Sequence, residues 1–225
     1  MYDSDGWSDN KGRGGDNLIA YSWLHYLEDS TNDTEYVMYM PMVKAGVRAM
    51  DAATEFFTSD SAPQEIQDLN LTPTQWGVSG ASKRGWTAWL VASVDPRVVA
   101  TVPVVMDLLN IRENLMHHYR AYGGWSFALE PYWEQNLTYY FDHPKFDDLA
   151  SIIDPFEHRD KLIMPKLVLN CANDEFFNLD NSRYWWDDMP MAYEMNRFLM
   201  LPNADHPVVG KILFTHFTQK MFINF

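Results

Sequence analysis

The stretch that most constrains the fold is WGVSGASKRGWT at residues 76–87, which joins two different patterns. Residues 75–79 favour a strand, whereas the proline-free run that begins at Thr87 favours a helix. A serine in a tight turn between a strand and a helix adopts a strained backbone conformation that exposes its hydroxyl. Its neighbours must be small because the strand and the helix almost touch there. The stretch therefore predicts a nucleophile elbow, the turn that presents an attacking serine.

Two serines in this stretch fit the pattern. Residues 77–81 match small-x-Ser-x-small around Ser79, and Ser82 lies three residues further on. We favour Ser82 because the helix then starts directly after it and the strand becomes long enough to reach the edge of the sheet. With this choice Arg84 stands where a G-x-S-x-G motif has a small residue, and the glycine follows one position later, at Gly85.

The rest of the chain predicts a mostly parallel sheet. Continuous aliphatic and β-branched runs occur at residues 98–105, 166–170 and 197–201, which is typical of strands buried on both faces. Helical patterns separate these runs and indicate βαβ units. We therefore predict a single α/β domain over residues 1–225, of the α/β-hydrolase type with flanking helices. No strand is predicted before the elbow strand, so we expect a partial domain that lacks the first strands of the fold.

An aromatic-rich insert is predicted between the second and third strands, at about residues 110–161. Within it, residues 111–119 and 131–141 favour helices. In open α/β sheets ligands bind at the carboxyl ends of the strands. We therefore expect a helical cap whose aromatic side chains form a wall of a pocket at that edge. Upstream, Asp16 is expected to cap the first helix.

A serine that attacks an acyl group needs a base to take its proton and an acid to orient that base. In the α/β-hydrolase fold the order along the chain is serine, acid, histidine, with the acid and the histidine in loops after strands. Asp174 and His206 each follow a predicted strand in this order. The predicted catalytic residues are therefore Ser82, Asp174 and His206, with Glu175 and Asp180 as alternative acids.

Stabilisation of the oxyanion can be predicted only in part. The backbone N–H of Lys83 lies at the start of the helix after Ser82, where the helix dipole favours negative charge, and it is the predicted first donor. A second donor usually comes from a loop after an earlier strand. No such strand is predicted before Asp16.

Composition excludes several classes of function. The net charge of −14 argues against a nucleic-acid groove, which needs clustered Lys and Arg. No apolar run is long enough for a membrane span. A single cysteine, Cys171, excludes an internal disulfide and a cysteine metal cluster. Neither a phosphate-binding glycine loop nor a metal-ligand spacing is present, so we expect no cofactor and no metal, and a small-molecule or peptide substrate.

The compartment is indicated only by indirect features. The first residues show no signal peptide. Sequons for N-glycosylation begin at Asn32, Asn70 and Asn136. These sequons favour an exported glycoprotein, so we expect a secreted or periplasmic location.

Several segments of the chain resemble the PhoPQ-activated pathogenicity-related family. The segments are PMVKAGVRAMD at 41–51, GASKRGWT at 80–87 and NDEFF at 173–177, and LIAYSW at 18–23 and LPNADH at 201–206 fit as well. The resemblance implies an α/β-hydrolase with an aromatic insert, usually exported, in a family that includes autocrine proliferation repressors. It also implies Ser82 rather than Ser79 as nucleophile, with Asp174 and His206. A similar G-x-S-x-x-G elbow occurs in glucuronoyl esterases, so Arg84 is compatible with catalysis.

Two functions follow as hypotheses. The first is a serine hydrolase that acts on an ester or amide bond through an acyl-enzyme. The second is a secreted signalling or binding protein that keeps the hydrolase scaffold without turnover and binds a cell-surface receptor. The resemblance supplies no substrate, and family members carry further segments at both ends.

Overall fold

A computed structural model describes residues 15–31, 33–190 and 197–201. Its sheet has four parallel strands in the order β1-β2-β3-β4, namely β1 (Trp76–Ala81), β2 (Val98–Val104), β3 (Leu167–Cys171) and β4 (Arg197–Leu201). The predicted α/β class with a parallel sheet is confirmed. Because all four strands run in the same direction, their carboxyl ends meet at one edge, and the loops that follow β1, β2 and β3 lie there together.

Seven α-helices accompany the sheet in the described part of the chain. They are α1 (Gly15–Glu28), α2 (Tyr39–Thr58), α3 (Gln64–Gln67), α4 (Lys83–Val94), α5 (Ile111–Tyr122), α6 (Glu130–Trp133) and α7 (Pro144–Ile153). The elbow strand extends to Ala81, two residues beyond the pattern at 75–79, and α4 begins at Lys83, directly after Ser82, as expected for a turn at Ser82. Ser82 is thus the single residue between strand and helix.

Helix α4 lies at the centre of the molecule. Its side chains are buried nearly all round, including Trp86, Trp89 and Leu90. Helix α2 packs closely on it, and an added Cβ at Gly46 would lie 2.8 Å from the Val91 side chain. A helix that is apolar around its whole circumference must be enclosed. Because α4 is fixed in the core, its first residue, Lys83, which follows Ser82, is held in place.

The insert at residues 110–161 contains α5, α6 and α7 together with three 3₁₀ segments. The single helix expected over residues 131–141 is wrong. The chain instead forms the short α6 and a 3₁₀ turn over Leu137–Tyr140, because Asn136 adopts a left-handed conformation (φ 58°) that interrupts the helix.

Both ends of the insert are joined through one buried carboxylate. The Asp154 side chain is 1% exposed and accepts hydrogen bonds from the backbone N–H groups of Ile111 (2.7 Å), Phe156 (2.9 Å) and Asn110 (3.3 Å). It therefore satisfies free donors at the start of α5 and at the start of the 3₁₀ segment Pro155–Lys161. Burial raises the pKa of Asp154 to about 7, although these backbone donors act in the opposite direction.

Candidate active site

Ser82 occupies a strained turn between β1 and α4. Its backbone has φ 53° and ψ −128°, a conformation that residues other than glycine rarely adopt. The Ser82 N–H donates to the carbonyl of Val104 on β2 at 2.9 Å, which fixes the turn to the neighbouring strand. Such a conformation costs about 1–3 kcal/mol and persists only where the surrounding structure enforces it. The geometry is that of a nucleophile elbow.

The two glycines around Ser82 allow the strand and helix to approach each other. A Cβ added at Gly80 would lie 2.3 Å from the carbonyl oxygen of Arg84, and one at Gly85 would lie 2.9 Å from the Met106 Cβ. Both distances are shorter than real Cβ contacts. Arg84 itself is exposed, so a large side chain is accepted at the second position after the serine. Sterics thus account for the G-x-S-x-x-G spacing.

Ser79, the alternative nucleophile, has a different environment. It lies within regular β1, and its hydroxyl donates to the carbonyl of Val102 at 2.8 Å. It borders a groove formed with α2 and α4 rather than the cavity at the end of the strands. In contrast to Ser82, Ser79 has an ordinary strand backbone, and its hydroxyl is already hydrogen-bonded.

Ser82 opens on a mostly apolar cavity of about 230 Å³. The cavity lies at the carboxyl ends of the strands, between α1, α4 and the insert. Its walls are formed by these residues: Asp16, Trp23, Tyr39, Ser82, Lys83, Trp86, Met106, Leu108, Leu115, Phe127, Ala128, Leu129, Pro131, Tyr132, Phe141, Phe176 and Phe177. The insert supplies the part from Leu115 to Phe141. The aromatic segment therefore borders a pocket beside Ser82.

Lys83 contributes to the site through its backbone and its side chain. Its backbone N–H is the first of α4 and has no acceptor within the helix. Its ammonium group forms an ion pair with Asp16 at 2.8 Å. Asp16 was expected to be a helix cap, but α1 begins before it, at Gly15, and its carboxylate contacts Lys83 across the cavity.

Asp174 lies in the loop after β3. One of its oxygens, Oδ1, accepts hydrogen bonds from the backbone N–H groups of Phe176 (2.8 Å) and Phe177 (3.1 Å), and both of these residues line the cavity. The other oxygen, Oδ2, has no hydrogen-bond partner among the described residues. Burial raises the pKa of Asp174 against the effect of the two donors. The Asp174 loop thus borders the cavity that holds Ser82.

The alternative acids are placed differently. Glu175 is exposed. Asp180 is also exposed, and its two oxygens contact His117 (2.7 Å) and Arg183 (3.1 Å). Both oxygens of Asp180 are therefore already occupied by other side chains. His206, the predicted base, lies outside the described residues.

A buried carboxylate that the sequence did not reveal, Asp107, joins the loops at this edge. It follows β2 and is 1% exposed. Its oxygens accept hydrogen bonds from the indole of Trp185 (2.6 Å) and the amide of Asn170 (2.7 Å), and its carbonyl accepts from Asn181 (2.7 Å). Burial raises the pKa of Asp107 to about 7, with a smaller contribution from the nearby Asp174. Asp107 thus holds the loop that carries Asp174 against the end of β2.

Metal-binding clusters and membrane-spanning helices were sought in the described part of the chain. No group of three or more His, Cys, Asp or Glu side chains there is arranged to hold a metal ion. Within the same ranges, no helix is both long and apolar enough to cross a membrane.

Comparison with known proteins identifies relatives in sequence and in fold. The family model described as PhoPQ-activated pathogenicity-related protein matches residues 6–224. Autocrine proliferation repressor protein A of Dictyostelium discoideum is 38% identical over 195 residues, which are 87% of this chain and 37% of that protein. The chain therefore spans little more than a third of this relative.

Solved structures of esterases share the fold. The acetyl xylan esterase from Paenibacillus sp. R4 superposes with a TM-score of 0.58 at 14% identity, over 86% of this chain and 55% of that one. Acetyl xylan esterase 1 from Thermoanaerobacterium sp. JW/SL YS485 gives a TM-score of 0.55 at 13% identity, over 85% and 55%. At this identity the likeness establishes the α/β-hydrolase fold and nothing finer.

Proposed function

The chain belongs to the family of PhoPQ-activated pathogenicity-related proteins, and from this premise we propose that it is a serine hydrolase. Its substrate is an ester or an amide, cleaved through an acyl-enzyme. One observation carries the proposal: Ser82 is held in a strained turn and opens on an apolar cavity at the carboxyl ends of the strands. Strained backbone conformations of this kind are concentrated at active sites and ligand-binding sites.

The proposed reaction uses the three predicted residues in two steps. The Ser82 hydroxyl attacks the substrate carbonyl while His206 takes its proton, and the same proton is then given to the departing alcohol or amine. Water hydrolyses the resulting acyl-enzyme by the reverse transfer. The backbone N–H of Lys83 donates to the oxyanion at the positive end of α4. The role of His206 rests on its position in the sequence after β4.

Asp174 is the acid that this proposal assigns to orient His206. Its Oδ1 is occupied by two backbone N–H groups, so the loop conformation is fixed, while Oδ2 has no partner among the described residues. An acceptor oxygen is therefore left for the imidazole N–H. The surroundings of Glu175 and Asp180 support neither as the acid, because one is exposed and the other is paired with His117 and Arg183.

The size and lining of the cavity favour small substrates. A volume of about 230 Å³ is below the roughly 300–1,000 Å³ of pockets that enclose drug-sized ligands. Its walls are largely aromatic and aliphatic. The two acetyl xylan esterases with the same fold are, by their names, enzymes for a small acyl group. We therefore favour an ester with a small acyl group over a peptide.

Covalent labelling tests the proposal directly. A fluorophosphonate probe is added to the folded full-length protein, and the modified residue is located by mass spectrometry. We expect labelling of Ser82, complete loss of labelling in Ser82→Ala, and unchanged labelling in the matched control Ser79→Ala. Labelling that persists in Ser82→Ala, or a folded native protein that is never labelled, would refute a nucleophilic Ser82.

A second candidate function is signalling without turnover. It is favoured by the relative from Dictyostelium, which is named a proliferation repressor. Under this proposal the protein is exported and binds a cell-surface receptor. Two of the three sequon residues, Asn70 and Asn136, are exposed, which supports export, while Asn32 lies outside the described residues.

A growth assay on proliferating cells distinguishes the two functions. The full-length protein and its Ser82→Ala variant are added at equal concentrations, and growth is followed. Equal repression by both proteins indicates binding, whereas repression by the native protein alone indicates catalysis.

A further inference from the structure

Three polar groups in the cavity beside Ser82 are not used by the proposed reaction. They are the carboxylate of Asp16 at the start of α1 and the hydroxyls of Tyr39 on α2 and Tyr132 on α6. Tyr39 is only 1% exposed, and Tyr132 is partly buried. We call these three residues the polar corner. All other neighbours of the corner in this cavity, apart from Lys83 and Ser82, are apolar or aromatic residues.

The two tyrosine rings are fixed by their packing. Tyr39 stacks on Trp86 with ring centroids 4.8 Å apart, and Tyr132 lies 5.3 Å from Trp23. Trp23 and Trp86 are themselves in edge contact at 5.6 Å. Because neighbouring rings restrict both tyrosines, their hydroxyls are held in place before a ligand arrives, which reduces the entropy lost on binding.

The hydrogen-bonding capacity of the polar corner is largely unused. Neither the Tyr39 nor the Tyr132 hydroxyl has a hydrogen-bond partner within residues 15–31, 33–190 and 197–201. In the same ranges, the Oδ2 atom of Asp16 accepts from Lys83, and its Oδ1 atom has no partner. Because all three residues line the cavity, a ligand or water bound there can supply the missing hydrogen-bond partners.

The protonation states of the polar corner are settled by its surroundings. Burial raises the pKa of both tyrosines, and the nearby Asp16 charge raises each further. Both phenols therefore stay protonated and act as donors at neutral pH. The corner offers two fixed O–H donors and one free carboxylate oxygen as acceptor.

We propose that the polar corner binds a hydroxyl group of the substrate, so that the enzyme prefers esters of small hydroxylated acyl groups. A hydroxyl accepts two hydrogen bonds and donates one, which matches two phenols and one carboxylate oxygen. This inference rests on the proposed function of Ser82. The acyl part stays bonded to Ser82 after the leaving group departs, so a cavity that Ser82 borders is placed to hold it.

Charged ligands match the polar corner less well. The Asp16 carboxylate is already paired with the Lys83 ammonium at 2.8 Å. Because this pair has no net charge, a substrate carboxylate would be repelled by Asp16 and a substrate ammonium by Lys83, and either would lose its hydration in a largely apolar cavity without a net opposite charge to replace it. A neutral hydroxyl avoids both repulsions.

A binding experiment tests the polar corner independently of catalysis. Ethyl 3-hydroxybutanoate and ethyl butanoate are titrated into the full-length Ser82→Ala protein, and binding is followed by ligand-detected NMR. We expect the hydroxy ester to bind at least about tenfold more tightly, as two or three new hydrogen bonds predict. Tyr39→Phe and Tyr132→Phe, each added to Ser82→Ala, should reduce this ratio. The matched control Tyr139→Phe, a residue that is 82% exposed, should leave it unchanged.

Turnover of the same two esters by the native protein separates this inference from the proposed function. Equal binding of the two esters, or a preference that survives the double substitution of Tyr39 and Tyr132, overturns the polar corner. Hydrolysis of both esters at the same rate leaves Ser82 as nucleophile and also overturns the corner. Selective binding without hydrolysis or labelling supports the corner and overturns the hydrolase. Circular dichroism of each Phe variant verifies that a lost preference does not reflect unfolding.

Discussion

The closest backbone approach at the elbow makes Gly80→Ala the most informative single substitution. The added Cβ would lie 2.3 Å from the carbonyl oxygen and 2.5 Å from the carbonyl carbon of Arg84, both backbone atoms. Ordinary contact begins at 3.4 Å, so strand and helix must separate by about 1.1 Å. Overpacking of this kind costs about 1–3 kcal/mol, and we expect the upper end because no flexible side chain can give way.

The same shift should impair the proposed reaction. Ser82 lies between the two segments that must separate, and a misplacement of about 1 Å costs on the order of 10²-fold in rate. We therefore expect Gly80→Ala to lower both the free energy of unfolding and the rate of fluorophosphonate labelling of Ser82. Gly124→Ala is the matched control, because an added Cβ there meets no atom within 4 Å.

Urea unfolding monitored by tryptophan fluorescence, together with labelling kinetics, measures both effects. The control variant should stay within about 0.5 kcal/mol of the native protein, as surface substitutions usually do. Gly80→Ala should have a lower transition midpoint and slower labelling. If Gly80→Ala matched Gly124→Ala in both measurements, the close approach of β1 and α4 could not be the reason for a glycine at position 80.

Two further predictions concern the buried carboxylates. Asp154→Ala leaves three backbone N–H groups without an acceptor and should lower the free energy of unfolding by about 3 kcal/mol. The control Asp148→Ala, on the exposed face of α7, should leave the free energy of unfolding unchanged. Equal urea midpoints for the two variants would contradict this prediction. Because the pKa of Asp107 is raised to about 7 in the folded state, its contribution to stability is greatest below about pH 4 and is lost as the pH rises to about 7, by up to about 4 kcal/mol. The difference in unfolding free energy between the native protein and Asp107→Asn should therefore change over this pH range, and a constant difference would refute the raised pKa.

The sequence predicted the part of the fold that depends on local pattern. The aliphatic and β-branched runs identified β2, β3 and β4 to within one residue at each end, because strands buried on both faces carry an unbroken apolar signal. The elbow was located for a related reason: its glycines are required by steric contacts within a few residues. The local patterns alone gave neither the end of β1 at Ala81 nor the start of α4 at Lys83; both were expected only once the turn was placed at Ser82.

Features that depend on contacts between distant residues could not be predicted. Asp107 is separated from Asn170 and Trp185 by more than sixty positions, and no local pattern connects them. Tyr39 and Tyr132 likewise come together only because both pack against Trp23 of α1. The position of Asp107 after β2 was the one feature of the sequence that could have indicated its role. Aspartates are also common in turns after strands, so this position alone is not specific. The break at Asn136 depends on a left-handed conformation that asparagine tolerates without requiring it.

Strain and buried charge are concentrated at one edge of the sheet. Ser82 after β1 and Val105 after β2 both have positive φ, at 53° and 43°, and the Val105 N–H donates to the carbonyl of Leu169 on β3 at 2.7 Å. A β-branched residue in this conformation is unfavourable. Asp107, two positions further, is buried with a raised pKa. Each feature costs stability, yet all occur where β1, β2 and β3 end. The enclosed helix α4 and the pairing of the strands hold the backbone at this edge in place. The fold can therefore tolerate strain there and keep the Ser82 hydroxyl at the cavity.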